Sequence, residues 1–123
     1  MVKVIDGGAG FDVGRGGRKL LRIRITAEVD GVRREYVITY GRYGSNNVAK
    51  GFAYARGDAP EVRKADAERF SALVEALTGK KPRIRRRSDG AIEFECYEGH
   101  LEGFARYAEL ADAIKRWLEE TGQ

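Results

Sequence analysis

The chain has 123 residues, 42% hydrophobic and 34% charged, with a formal net charge of +4. That size and apolar content fit one domain with a core of its own and exclude a disordered chain. They exclude a membrane span as well, since no apolar run approaches the roughly 18 residues required, and the single cysteine, Cys96, excludes an internal disulfide and any multi-cysteine metal site.

The first residues, Met1 to Asp6, lack the apolar stretch of a secretion signal, so a cytoplasmic location is expected. Asn and Gln together number three, and charged residues are abundant, with sixteen Arg to seven Lys. This is the composition of proteins from hot-growing organisms. Charge is uneven: residues 1–60 hold 11 basic and 6 acidic side chains, and residues 61–123 hold 12 and 13. Positive potential therefore belongs to the N-terminal part and to the run Lys80 to Arg87.

Residues 6–17 contain six glycines, which predicts a flexible arm over 1–17, with a short edge strand at Val2 to Ile5 at most. No GxxxxGK[ST] pattern and no following helix support a phosphate loop there. From Leu21 to Val29 apolar and polar residues alternate. Asp30-Gly31 follows, the pair preferred in a two-residue type I′ turn. That turn pairs Val29 with Val32 and Leu21 with Tyr40, and the apolar sets coincide except at Arg34. Arg22, Arg24 and Arg33 then fall on the opposite face.

Gly41 to Asn47 reads as a loop. Val48 to Arg56 reads as a strand with Ala49, Gly51, Ala53 and Ala55 on its small face; a short helix capped by Asn46 or Asn47 is the alternative. Asp58 is the expected cap of a helix with Pro60 in its first turn, running to about Thr78 and stopped by Gly79. Phe70, Leu73, Val74 and Leu77 form its buried stripe.

A three-residue loop, Ser88-Asp89-Gly90, aligns Ile84 with Phe94, Arg85 with Glu93 and Arg83 with Glu95 in a second hairpin. A final helical segment covers about Gly99 to Glu120. Its apolar surface is broad enough to imply burial on two sides, or a break near Tyr107. The fold class is α+β: an antiparallel sheet built from two β-hairpins, with helices packed on one face, in the order β-β-(β)-α-β-β-α. Residues 18–123 form the domain.

Catalytic signatures are absent. His100 is the only histidine, at a helix start, and reads as a capping or surface residue. Cys96 shares an apolar strand face with Ile92 and Phe94 and reads as a small buried hydrophobe. Glu93 and Glu95 suit cross-strand arginines better than acid–base work. No His, Cys and carboxylate spacing fits a metal. The expectation is a protein without catalytic, metal or cofactor sites. Tyr40, Tyr43 and Tyr54, close to Arg42 and Arg56, have the mixture of aromatic and basic side chains that binds single strands; Tyr40 and Tyr54 packed in the core is the competing reading.

Three segments carry a family likeness: EVDGVRREYVITYGRYGSNNVAKGFAYARGDAP (28–60), ALVEALTGKKPRIRRRSDG (72–90) and ECYEGHLEGFARYAELADAIKRWLEETG (95–122). Through them the chain resembles the PaREP family, class 2b, repeat paralogues of hot-growing archaea. The resemblance implies an archaeal, cytoplasmic protein and brings no activity with it. The helix, hairpin, helix order of residues 61–120 is also similar to the latter half of a LAGLIDADG homing-endonuclease subunit, and Lys50 to Gly57 echoes that family's signature helix. Arg56 stands where that family has its metal-binding carboxylate, so this likeness implies a basic sheet face suited to duplex DNA without nuclease chemistry.

The leading expectation is a non-enzymatic nucleic-acid-binding domain, with DNA preferred to RNA. Its contacts to phosphate would come from Arg22, Arg24, Arg33, Arg42, Lys80, Lys81, Arg83, Arg85 and Arg87. The alternative is a protein-interaction or structural module, in which the C-terminal helix, with Trp117 and Leu118, meets a partner or a second copy in a homodimer.

Overall fold

The structure is a computed structural model and describes residues 1–122. Ten elements follow one another: β1 (Val2–Val13), a short 3-10 turn (Arg15–Gly17), β2 (Lys19–Val29), β3 (Val32–Tyr43), β4 (Val48–Tyr54), α1 (Pro60–Thr78), β5 (Arg83–Arg86), β6 (Ile92–Cys96), α2 (Glu98–Phe104) and α3 (Ala108–Thr121). The strands form one antiparallel sheet in the order β1-β2-β3-β4-β6-β5.

The Asp30-Gly31 turn has both central residues at positive φ, 52° and 83°, as type I′ geometry demands. It sets Val29 opposite Val32 and Leu21 opposite Tyr40, the register the alternation predicts. Because side chains alternate along each strand, Leu21, Ile23, Ile25, Ala27 and Val29 all lie buried on one face, joined by Tyr36, Ile38 and Tyr40. All three helices cover that face. α1 contributes Phe70, Leu73, Val74 and Leu77; α2 contributes Leu101 and Phe104; α3 contributes Leu110, Ile114 and Trp117. The other face of the sheet carries no helix.

Three expectations need correction. The glycine-rich segment is no flexible arm. Val2 to Val13 pairs with β2 from Val2–Val29 to Val13–Lys19, with one bulge between Val4 and Asp6. Glycine is a poor strand former in isolation, but β2 offers a long regular edge, and the α3 layer lies over β1, with Leu110 beside Gly7. Asp58 does not cap α1. The cap position is Ala59, with no side-chain bond, and Pro60 begins the helix. Asp58 is thus one residue too early, and Pro60 needs no N–H partner at that position.

The loop expected over Gly41 to Asn47 is shorter: Gly41, Arg42 and Tyr43 belong to β3 and pair with Lys50, Ala49 and Val48, because β4 extends the ladder past Tyr40. The other elements follow the pattern. Val48–Tyr54 is a strand, including most of the segment that echoes the LAGLIDADG helix. The second hairpin has the three-residue loop, with Gly90 at φ 89° and Ile84 opposite Phe94. The last helical region breaks after Phe104 and resumes at Ala108. Gly79, at φ 79°, ends α1.

Gly51 is the tightest point of the sheet's inner face. It lies opposite Tyr40, and a Cβ there would sit 2.6 Å from the Tyr40 ring. That ring is wholly buried against Trp117 and donates its hydroxyl to the Tyr97 carbonyl at 3.0 Å, so it has no room to retreat. Gly51→Ala is expected to lower unfolding free energy by about 1–3 kcal/mol, an overpacking cost, measured as a fall in urea midpoint at unchanged slope.

Candidate nucleic-acid interface

The uncovered sheet face is where the sequence pattern points. Strand parity brings Arg22 and Arg24 of β2, Arg33 of β3, and Arg83 and Arg85 of β5 to this face, with Arg87 just beyond β5. The two hairpins therefore do share it. They stand on opposite flanks, separated by β4.

Between the flanks runs a band of aromatic side chains. Tyr43 and Phe52 meet edge to face at 5.5 Å. The Arg18 guanidinium lies over the Tyr43 ring at 4.5 Å. Tyr54, 52% exposed, donates its hydroxyl to Glu93 at 2.8 Å. Tyr97 does the same to Glu95 at 2.7 Å. Both phenols are pushed above their ordinary pKa, Tyr54 chiefly by its bond to Glu93 and Tyr97 chiefly by burial. Phe52 and Tyr97 are not among the residues that sequence reasoning nominates. A signal for them exists: Phe52 shares parity with Tyr54, and Tyr97 shares it with Glu95.

Most of the arginines on this face are already matched. Arg22 pairs with Asp12 at 3.1 Å and Arg33 with Glu28 at 2.9 Å. Arg85 reaches Glu95 at 2.9 Å and Glu93 at 3.7 Å, and Arg83 reaches Glu95 at 3.9 Å. Glu95 is buried, and its carboxyl is held below the usual glutamate range, first by the Tyr97 hydroxyl and then, against the cost of burial, by Arg85. Arg24, Lys80, Lys81 and Arg87 have no ion pair among the described residues, and all four are exposed.

Arg42 is not on this face. Its parity is that of the core, opposite Ala49. The guanidinium covers the Trp117 ring at 5.1 Å, donates to Thr121 Oγ1 at 3.2 Å and to the Asn47 carbonyl at 3.2 Å. Asn47 in turn donates to the Thr121 carbonyl at 3.1 Å. Together they close the C-terminal end of α3, where a cation and donors are favoured. Tyr40 likewise belongs to the core, where burial raises its pKa. Trp117 is wholly buried, its indole N–H donating to the Lys19 carbonyl at 3.1 Å, while Leu118 is half-buried.

His100 and Cys96 have structural surroundings. His100 Nδ1 accepts from the Tyr97 N–H at 2.9 Å, which leaves the proton on Nε2, 2.9 Å from the Lys81 carbonyl. Both nitrogens are occupied in tying the start of α2 to the segment before β5. Cys96 is fully buried and its thiol is pushed up to about 12 by burial alone. Among the described residues no group of three or more His, Cys, Asp or Glu side chains converges as metal ligands would, and no helix is long and apolar enough to cross a membrane. No family model, no curated protein and no solved structure matches this chain.

Glu95 has a folded pKa below its ordinary value, so its stabilisation is fully present above the ordinary glutamate range and is lost as pH falls through the folded value. Glu95→Gln should therefore cost about 1.5–3 kcal/mol near neutral pH, the range for hydrogen bonds to a charged group, and much less at pH ~3; denaturant titrations at the two pH values check it. Cys96 should stay unlabelled by a thiol-disulfide reagent in the folded protein and label at once in guanidinium; rapid labelling of native protein would contradict its burial.

Proposed function

We propose that the uncovered sheet face binds nucleic acid without catalysing a reaction on it. The observation that supports this reading best is the arrangement of the face itself: an aromatic band, Tyr43, Phe52, Tyr54 and Tyr97, flanked by arginines on both sides. Aromatic faces stack bases regardless of sequence, and guanidinium groups neutralise the backbone running past them. A flat duplex would reach the flanking arginines but not the band between them. A single strand would use both, so single-stranded DNA is the ligand proposed.

The internal ion pairs set the strength. Arg22, Arg33, Arg83 and Arg85 must exchange a carboxylate for a phosphate, and exchange gains less than capture. The unmatched Arg24 and Arg87 carry most of the counterion release, with the exposed Lys81 near the edge, while the Lys80 ammonium lies beside Gly99 of α2. Binding is accordingly modest in affinity, strongly dependent on salt and weakly selective for sequence. The likeness to the PaREP family adds no activity to this reading, which stands on the face alone.

Fluorescence anisotropy with labelled single-stranded and duplex DNA, and the same sequences as RNA, at two salt concentrations tests it. Single-stranded DNA should bind most tightly. Replacing Arg24 and Arg87 together with alanine should weaken binding and flatten the logarithmic salt slope by about 0.7 for each phosphate no longer neutralised. Absence of binding to any nucleic acid at low salt would end the proposal; RNA binding as tightly as DNA would end only the preference.

A further inference from the structure

β3 pairs with β4 only from Thr39–Phe52 to Tyr43–Val48, whereas β4 continues beside β6 through Tyr54, and the Ala55 N–H reaches the Ile92 carbonyl at 3.0 Å. From Ile38 back to Val32, β3 has no strand on its β4 side. The two strands diverge, and a cleft of about 290 Å³ opens between them, lined by Arg34, Thr39, Phe52, Tyr54 and Arg56 among others. Thr39, Phe52 and Tyr54 are residues of the uncovered face, so the cleft opens on the proposed interface.

The charge around this cleft does not balance. Asp66 of α1 is buried and is the carboxylate that the arginines there share: Arg34 meets it at 3.0 Å, Arg69 at 3.7 Å, and the main-chain N–H of Arg56 at 2.7 Å, while Glu93, bonded to Tyr54 on the other side, is taken up by Arg85. The Arg56 side chain itself is exposed and has no partner among the described residues. Burial lowers the pKa of Arg34; Asp66 opposes that shift and the Arg56 charge adds to it. Hydrogen bonding is deficient in the same sense. Four buried side-chain atoms among the described residues lack a partner: Arg34 Nε, Tyr36 Oη, Arg69 Nε and Ser71 Oγ. All lie at residues 34–36 of β3 or 69–71 of α1, segments that face each other through Arg34–Asp66 and Tyr36–Phe70. Every one of the four can donate, and the two Nε atoms can do nothing else. Of these residues only Arg34 lines the cleft, and its Nε, which can only donate, lacks an acceptor.

We propose that the cleft between β3 and β4 is an oxyanion site that takes a phosphate group, with the half-buried Arg34 as its inner ligand and Arg56 as its ligand at the mouth. Two guanidinium groups supply the charge-assisted donors that phosphate oxygens select. Arg34 is held in place by Asp66 on one side and by the Tyr36 ring 4.3 Å beneath its guanidinium. Phe52 and Tyr54 stand at the same opening, where a base attached to that phosphate would stack. The site rests on the nucleic-acid reading of the face and gives it an anchor: one phosphate of the strand, internal or terminal, is gripped while the others are only screened.

Inorganic phosphate is the first probe, titrated against the full chain and followed by phosphorus NMR or calorimetry. The second is a short oligothymidylate with and without a 5′-phosphate. Phosphate should saturate one site per chain, and Arg56→Ala should weaken it about tenfold, with Arg56→Lys between the two. Arg56→Ala keeps the fold, because Asp66 is held by the main chain at that position, and an unchanged melting temperature verifies this. Equal weakening of both oligonucleotides by Arg56→Ala identifies an internal phosphodiester; weakening of the phosphorylated one alone identifies a terminal phosphate. Phosphate binding without oligonucleotide binding keeps the oxyanion site and removes the nucleic-acid reading. If phosphate fails to saturate, the oxyanion site is overturned and the orphan donors hold water only, whatever the oligonucleotides do on the rest of the face.

Discussion

The Asp30-Gly31 turn is the constraint on which the molecule depends. With two residues at positive φ it permits one register between β2 and β3. A slip of one residue would carry five buried apolar side chains of β2 to the solvent and bring Arg22 and Arg24 against the helices. At roughly 1.5–3 kcal/mol for each large apolar side chain removed from water, no surface interaction could compensate. Every later strand inherits this choice of face. β4 places its small residues inward beneath Tyr40, β6 places Ile92, Phe94 and Cys96 inward, and the helices can then pack on one side only. The uncovered face follows from the register.

An uncovered face rich in arginine has to be kept from repelling itself, and the sheet does this with cross-strand carboxylates. Glu93 and Glu95 sit on the central side of β6, buried under Tyr54, Tyr97, Arg83 and Arg85. A carboxylate removed from water in this way is tolerated because each one receives a phenolic hydroxyl and a guanidinium. The same bonds fix the tyrosine rings upright on the sheet. Rigid aromatic groups lose little conformational entropy on binding, so the network that reduces net charge would also favour the stacking proposed for this face.

Where local rules and long-range pairing agree, the sequence is legible. Both hairpins, their loop lengths, the α1 stripe and the break before α3 follow from alternation, turn residues and helical spacing. Two readings fail because local composition misleads. The glycines of β1 have weak intrinsic preference, and their strand exists because β2 offers eleven residues of regular edge. Arg42 has the composition of a surface cation, yet parity turns it inward, where the Trp117 ring and the end of α3 receive it. The parity of Arg42 is legible, since it sits two residues from Tyr40; the basic character of the residue masks it. The shared face of the two hairpins is not legible from either hairpin alone. It needs the pairing of β4 with both β3 and β6, which joins segments about forty residues apart.

That double pairing of β4 also explains why the sheet opens where it does. β4 leaves β3 after Phe52 yet stays with β6 as far as Tyr54. β4 has seven residues to the twelve of β3, so β3 from Ile38 back to Val32 runs on past its pairing with β4. A sheet that closed the gap would bury the Arg34 side chain among apolar groups. The observed one admits Asp66 from α1, which neutralises a single arginine and leaves Arg56 at the opening. Arg34 is the residue that breaks the apolar match of the first hairpin, and it stands where the sheet splits. A mismatch in an otherwise consistent pattern marks a functional or a strained site, and here the mismatch stands beside the divergence of the strands and among the donors that lack partners.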